Sequence, residues 1–128
     1  MSRVLLINDN ESIMDRTAGM LEDIGWEVHI ANSHKAALWT CIDRQPSLAV
    51  VDIEMQGGAG LETISMLRRS DKKLFILAVT RGRHDDTLLK VAKVCGANHH
   101  VIGPVSAAKL FAAIEVGRVN GCFQSGPQ

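Results

Sequence analysis

A chain of 128 residues with 14 Lys and Arg balancing 14 Asp and Glu has the length of one domain and no basic surplus for holding a phosphate backbone. Hydrophobic residues at 46% and charged residues at 22% fit a globular domain rather than a disordered chain. Tyr is absent and aromatics are only 4%, which disfavours base stacking, and no apolar run approaches the length of a spanning helix. The expectation is a cytoplasmic protein with no direct nucleic-acid contact and no membrane contact. Cys41, Cys95 and Cys122 are odd in number and lack metal or redox spacing, so they read as free thiols.

Strand and helix patterns alternate along the chain. Val4 to Ile7 is a short apolar strand that runs straight into Asn8-Asp9-Asn10-Glu11, too soon for a secretory signal. Glu11 to Ile24 then places Ile13, Met14, Thr17, Met20, Leu21 and Ile24 on one helical face, stopped by Gly25. Glu27 to Ala31 alternates as a half-exposed strand. Ser33 caps a helix to Arg44 with Ala36, Ala37, Leu38, Cys41 and Ile42 inward, and Pro46 closes it. Ser47 to Asp52 reads as a buried strand, about Gly60 to Arg69 as a helix, and Leu74 to Thr80 as the next strand. Asp85 or Asp86 caps a helix to Cys95 that buries Leu88, Leu89, Val91, Ala92 and Val94, and Gly96 ends it. A short strand around His99 to Ile102, the turn Gly103-Pro104 and a helix from Ser106 to about Val119 complete the pattern. The domain is thus expected over residues 1–119, with 120–128 a flexible polar tail. Five strands alternating with five helices argue an α/β fold, a doubly wound five-stranded parallel sheet with helices on both faces.

The most informative stretch is Leu48-Ala49-Val50-Val51-Asp52, which ends an apolar, β-branched run on a carboxylate before a glycine-rich loop. Open α/β sheets place their chemistry just outside the carboxyl ends of the strands. If the first, third and fourth strands are neighbours, Asn8-Asp9, Asp52 and Thr80 converge there in one solvent-reachable cleft. Two carboxylates with no His or Cys suit a hard cation such as Mg²⁺, and a carboxylate with a nearby hydroxyl suits phosphoryl transfer. Strand-end Asp residues also cap helices, and for Asp9 alone that reading is equally good.

Over Arg3 to about Val119 the chain resembles the receiver domains of two-component response regulators, the chemotaxis-regulator-like family. The resemblance rests on Asn8-Asp9-Asn10 after the first strand and on Val50-Val51-Asp52 with Met55 and Gly60 downstream. Ala78-Val79-Thr80 and the Gly96-Ala97 approach to a final strand ending in Pro104 complete it. It implies a flavodoxin-like sheet in the strand order 2-1-3-4-5 and a cis Gly103–Pro104 bond. It further implies Asp52 as phosphoacceptor, Asp9 and Asp52 as metal ligands with the Glu54 backbone carbonyl, and Thr80 as the switch hydroxyl. Several positions depart from the family. Asn8 stands where an acid is usual, so it is a weak ligand and Mg²⁺ binding is expected to be weak. Gly103 replaces the lysine that pairs with the phosphoryl group, Arg81 replaces a small residue, His100 replaces an aromatic, and Gln56 replaces a proline.

Arg81 is the candidate substitute cation, since a guanidinium fork suits phosphate, although Thr80 to His84 also reads as a solvated basic loop. His99 and His100, neighbours on one strand, are expected to point to opposite faces and not to share a metal. The leading expectation is a single-domain, non-enzymatic signalling protein. It would take a phosphoryl group from a histidine kinase or phosphotransfer protein and dock a downstream protein on the last two helices and the strand between them. That face offers Leu88, Lys90, Lys93, His100, Val105, Ala108, Lys109 and Ala112. Two alternatives stand beside it: a phosphate-independent pseudo-receiver, and a binder of a phosphorylated small molecule through Arg81 and Arg83.

Overall fold

Strands buried at every position need cover on both faces, and two of this chain's strands, Leu48–Asp52 and Phe75–Val79, are buried throughout. In the computed structural model, which describes residues 2–81 and 86–123, these are the third and fourth strands of one sheet. Arg3–Ile7 (β1), Glu27–Ala31 (β2), Leu48–Asp52 (β3), Phe75–Val79 (β4) and His99–Val101 (β5) pair in parallel in the order β2-β1-β3-β4-β5. The helices are Glu11–Asp23 (α1), His34–Arg44 (α2), Ala59–Ser70 (α3), Asp86–Cys95 (α4) and Ala107–Val119 (α5).

Side chains alternate across a strand, so each strand feeds two cores. Leu5, Ile7, Ala49, Val51, Ile76 and Ala78 face α2, α3 and α4, while Val4, Leu6, Leu48, Val50, Leu77 and Val79 face α1 and α5. Helix starts are set locally: Asn10, Ser33 and Ser106 each accept an amide N–H from the third residue beyond. The register pairs Ile7 with Val51 and Asp52 with Val79, which brings the residues following β1 and β4 level with Asp52.

Three expectations change. Ile42 is 54% exposed, because α2 turns only Ala37 and Cys41 fully inward. In α4 only Ala92 is fully buried, packed with Ile64 and Leu67 of α3 and Ile76 and Ala78 of β4, while Val91 is 40% and Val94 87% exposed. Beyond α5, Phe123 meets Trp26 and Phe75 edge-on at 5.4 and 5.8 Å, so an aromatic contact continues past Val119. Helix α4 begins at Asp86, and the expected cap at Asp85 lies outside the described residues.

One tie was not anticipated. The Arg68 guanidinium donates to Gly96 O at 2.8 and 3.1 Å, to Asn98 Oδ1 at 2.7 Å, and to Asp71 O and Lys72 O. Asn98 Oδ1 also accepts the Ile76 N–H at 2.7 Å, so one side chain fastens the end of α3 to the α4–β5 turn and to β4.

Two glycines should respond in opposite ways. A Cβ at Gly60 would sit 2.3 Å from the Asp52 carbonyl oxygen and 2.6 Å from Ile53 Cα, whereas one at Gly19 meets nothing within 4 Å. Gly60→Ala is expected to destabilise by about 1–3 kcal/mol or more through backbone overlap. Gly19→Ala in α1 should stabilise by about 0.5–1 kcal/mol through helix propensity. Urea unfolding measures both, and equal effects would contradict the close seat of α3 on β3.

Candidate functional site

The carboxyl edge of the sheet gathers the sequence-predicted residues, but Arg81 organises them. Its Nε donates to Asp52 Oδ2 at 2.6 Å and its Nη2 lies 2.5 Å from the same oxygen. Nη2 also bonds Asp9 Oδ1, and the Arg81 backbone N–H donates to Glu54 Oε2. One guanidinium thereby bridges both carboxylates, and its backbone is fixed by a third. The other oxygen of each acid is held by main chain: Glu54 N–H donates to Asp52 Oδ1 at 2.8 Å and Gln56 N–H to Asp9 Oδ2 at 3.1 Å.

These contacts set the electrostatics. Burial pushes the Asp52 carboxyl above its ordinary range, against the pull of Arg81 and the Glu54 amide. Asp9 is held below its ordinary range by the Gln56 amide and, with it, Arg81. The cleft outside is lined by Asp9, Asn10, Gln56 and Arg81 and measures about 300 Å³. Gly57 and Gly58, which follow Gln56, have φ of 69° and 72°, a conformation in which side chains are strained, so the Gln56–Gly58 turn uses both glycines.

Several placements differ from expectation. Asp52 is only 2% exposed rather than solvent-reachable, because Arg81 covers Oδ2 while the Glu54 amide occupies Oδ1. The Thr80 hydroxyl accepts the Gly103 N–H at 3.1 Å, so it is engaged with the turn after β5. Asn8 is buried with Oδ1 accepting the Asn10 N–H at 2.8 Å, which commits that oxygen to its own loop. The His99 and His100 rings lie 5.7 Å apart, and their strand positions pair with Leu77 and Ala78, which face opposite cores. The Gly103–Pro104 bond is cis, as expected. Arg83 and His84 lie outside the described residues. The Glu54 side chain is the site residue that sequence reasoning missed, having been given a role only through its carbonyl.

Among the described residues no three His, Cys, Asp or Glu side chains form a metal cluster. Asp9 and Asp52 nonetheless present oxygens to a single cationic nitrogen, and an oxygen donor set of that kind suits Mg²⁺. The residues fit such an ion, in competition with Arg81.

A doubly wound parallel sheet with paired carboxylates at the carboxyl ends of β1 and β3 defines the receiver class of signalling domain. Residues 4–115 match the response regulator receiver domain, and the chain belongs to that family, whose members work in two-component signalling. It is 32% identical over 105 residues to the CAI-1 autoinducer sensor kinase/phosphatase CqsS of Vibrio cholerae, covering 80% of this chain and 15% of that protein. It is 28% identical to the photosynthetic apparatus regulatory protein RegA of Rhodovulum sulfidophilum, covering 87% of this chain and 60% of RegA. The chain thus spans only part of the length of these relatives. In fold it is similar to a CheY-like receiver domain protein of Methanospirillum hungatei, with a TM-score of 0.85, 24% identity and coverage of 95% and 96%. Chemotaxis protein CheY4 of Vibrio cholerae gives a TM-score of 0.84 at 23% identity, covering 91% of this chain and 98% of that one. Receiver domains typically bind Mg²⁺ at their acidic pocket and interact with histidine kinases and downstream effectors.

Removing the bridging cation should free the carboxylates. Arg81→Ala is expected to bind Mg²⁺ about threefold to tenfold more tightly than wild type, the charge-assisted bonds being partly screened by solvent. Amide shifts of Asp9 and Glu54 followed during a Mg²⁺ titration measure this. An unchanged affinity would mean that Arg81 does not occupy the pair in solution.

Proposed function

We propose that the chain is a non-enzymatic, cytoplasmic receiver module in which Asp52 accepts a phosphoryl group from a histidine kinase or phosphotransfer protein and Arg81 reads it. The observation that carries this reading is the contact of Arg81 with Asp52 Oδ2. With the Glu54 amide staying on Oδ1, Oδ2 acts as nucleophile once Arg81 releases it. It forms a bond to phosphorus as the bond from phosphorus to the donor's imidazole breaks. Arg81, whose side chain is about one-third exposed, withdraws toward solvent to admit the donor and then pairs with the transferred oxygens. That role falls to it because Gly103 has no side chain to offer. Bound Mg²⁺ would supply positive charge against the phosphoryl oxygens, with Asp9 and Asp52 as its side-chain ligands, the Glu54 carbonyl as a further donor, and Asn8 contributing weakly.

Output is by docking a partner protein. Lys90, Lys93, His100, Ala108, Lys109 and Ala112 are exposed on α4, β5 and α5, which supports that face as the contact. The Lys109 ammonium is tied to Ile102 O at 2.9 Å and Pro104 O at 3.4 Å, which places it beside the turn that Thr80 engages. Among the described residues no helix is long and apolar enough to cross a membrane.

A second reading is favoured by the completeness of the Arg81 bridge, which already pairs with both Asp52 and Asp9 with no phosphoryl group: a phosphate-independent docking module. Beryllofluoride with Mg²⁺ separates the two. The phosphoacceptor reading expects amide shift changes along β4, α4 and β5 in wild type, none in Asp52→Asn, and loss of the α4 and β5 component in Arg81→Ala. Losing one charge-assisted bond of about 1.5–3 kcal/mol would shrink the population shift roughly 10- to 100-fold. Silence in the wild type supports the phosphate-independent module.

A further inference from the structure

Helix α2 leaves its outer face bare in an unusual way. Ala37 and Cys41 are its buried residues, and at about 3.6 residues per turn the opposite face carries Lys35, Trp39, Ile42 and Asp43. Trp39 is 73% exposed and Ile42 beside it 54%, while the chain's other tryptophan, Trp26, is buried in the α1–α5 core. An exposed tryptophan next to an isoleucine is an apolar patch that a partner can cover.

The charges around the patch identify that partner. Lys35 lies one helical turn before Trp39 and Asp43 one turn after it, so the stripe reads cation, aromatic, anion. Both charges oppose their own helix: Lys35 is in the first turn, where the dipole is positive, and Asp43 in the last, where it is negative. Asp43 pairs with its neighbour Arg44 at 3.3 Å, a largely exposed pair of little strength. If a second α2 lies antiparallel against the first with Trp39 on Trp39, Lys35 of each copy meets Asp43 of the other. Each charge then gains an opposite partner, the dipoles align antiparallel, and both tryptophans lose their water. The stripe is self-complementary, as a two-fold interface requires.

We infer that the Lys35–Trp39–Asp43 face of α2 is a homodimer interface between two copies of this chain, formed by residues that do not line the cleft beside Asp9 and Arg81. One helix face per copy is a small contact, so the association is weak and depends on concentration.

Sedimentation equilibrium over a range of concentrations tests this on the whole chain, with circular dichroism verifying that each variant is folded. The wild type should show monomer and dimer in exchange, with Trp emission shifting to shorter wavelength as dimer forms, and Trp39→Glu should be monomeric throughout. Lys35→Glu and Asp43→Lys should each weaken the dimer about threefold to tenfold, and the double variant should recover it. A wild type that stays monomeric at every concentration overturns the proposal, as does a dimer that survives Trp39→Glu. Single charge reversals that match wild type, or a double variant that stays weak, overturn the antiparallel arrangement.

Discussion

A carboxylate at the end of a central strand, almost entirely out of water, is the constraint around which this molecule is arranged. An isolated buried charge is costly, and the protein has only a few ways to meet that cost: protonate the group, pair it, or aim backbone amides at it. Here the last two act together on different oxygens of Asp52, the Glu54 amide on one and the Arg81 guanidinium on the other. Because Arg81 also reaches Asp9 and has its own amide held by Glu54, β1, β3 and the end of β4 are joined through a single side chain. Substituting any one of these four residues changes the electrostatics of the other three.

That arrangement alters how a receiver pocket works. Where a separate lysine is available, the acids can bind a metal before phosphorylation and the lysine can wait for the phosphoryl group. Here a single internal cation occupies the acids beforehand and is also the group positioned to meet the phosphoryl oxygens. On the proposed function, affinity for an external cation and response to phosphorylation are coupled through that one residue. Asn8 moves in the same direction: it lowers the negative charge that one guanidinium must offset.

Much of this was readable in the chain because periodicity and punctuation agree. The β-branched run ending at Asp52, the serine and asparagine caps, and Gly25 and Gly96 at helix ends all lead to the same alternating fold. What could not be read was where rotamers go and where cover is thin. Arg81 had two readings, solvated loop or substitute cation, and only the juxtaposition of three strand ends shows which acids it meets. Glu54 was treated as backbone because a side chain bonding an amide 27 residues away leaves no trace in local pattern. Ile42 and Val94 sit where helical periodicity allows burial, yet the faces that α2 and α4 turn to the core are those of Ala37 and Cys41 and of Ala92. Phe123, placed by sequence in the polar tail, packs because Gly117 leaves room against Phe75.

The clasp made by Arg68 gives the carboxyl end of α4 a fixed seat. Its carboxyl end is pinned, through Gly96 and Asn98, to α3 and β4, while its amino end follows the segment that begins at Arg81. Because Gly96 and Asn98 fix the carboxyl end, any tilt of α4 turns about that end. A helix of this length is about 15 Å long, so a tilt of about 10° about the clasp would carry Asp86 by roughly 2–3 Å while Cys95 barely moves. Displacement at the pocket would thus be read out most strongly near the first turn of α4, which is also where the helix is closest in sequence to the cation that holds Asp52.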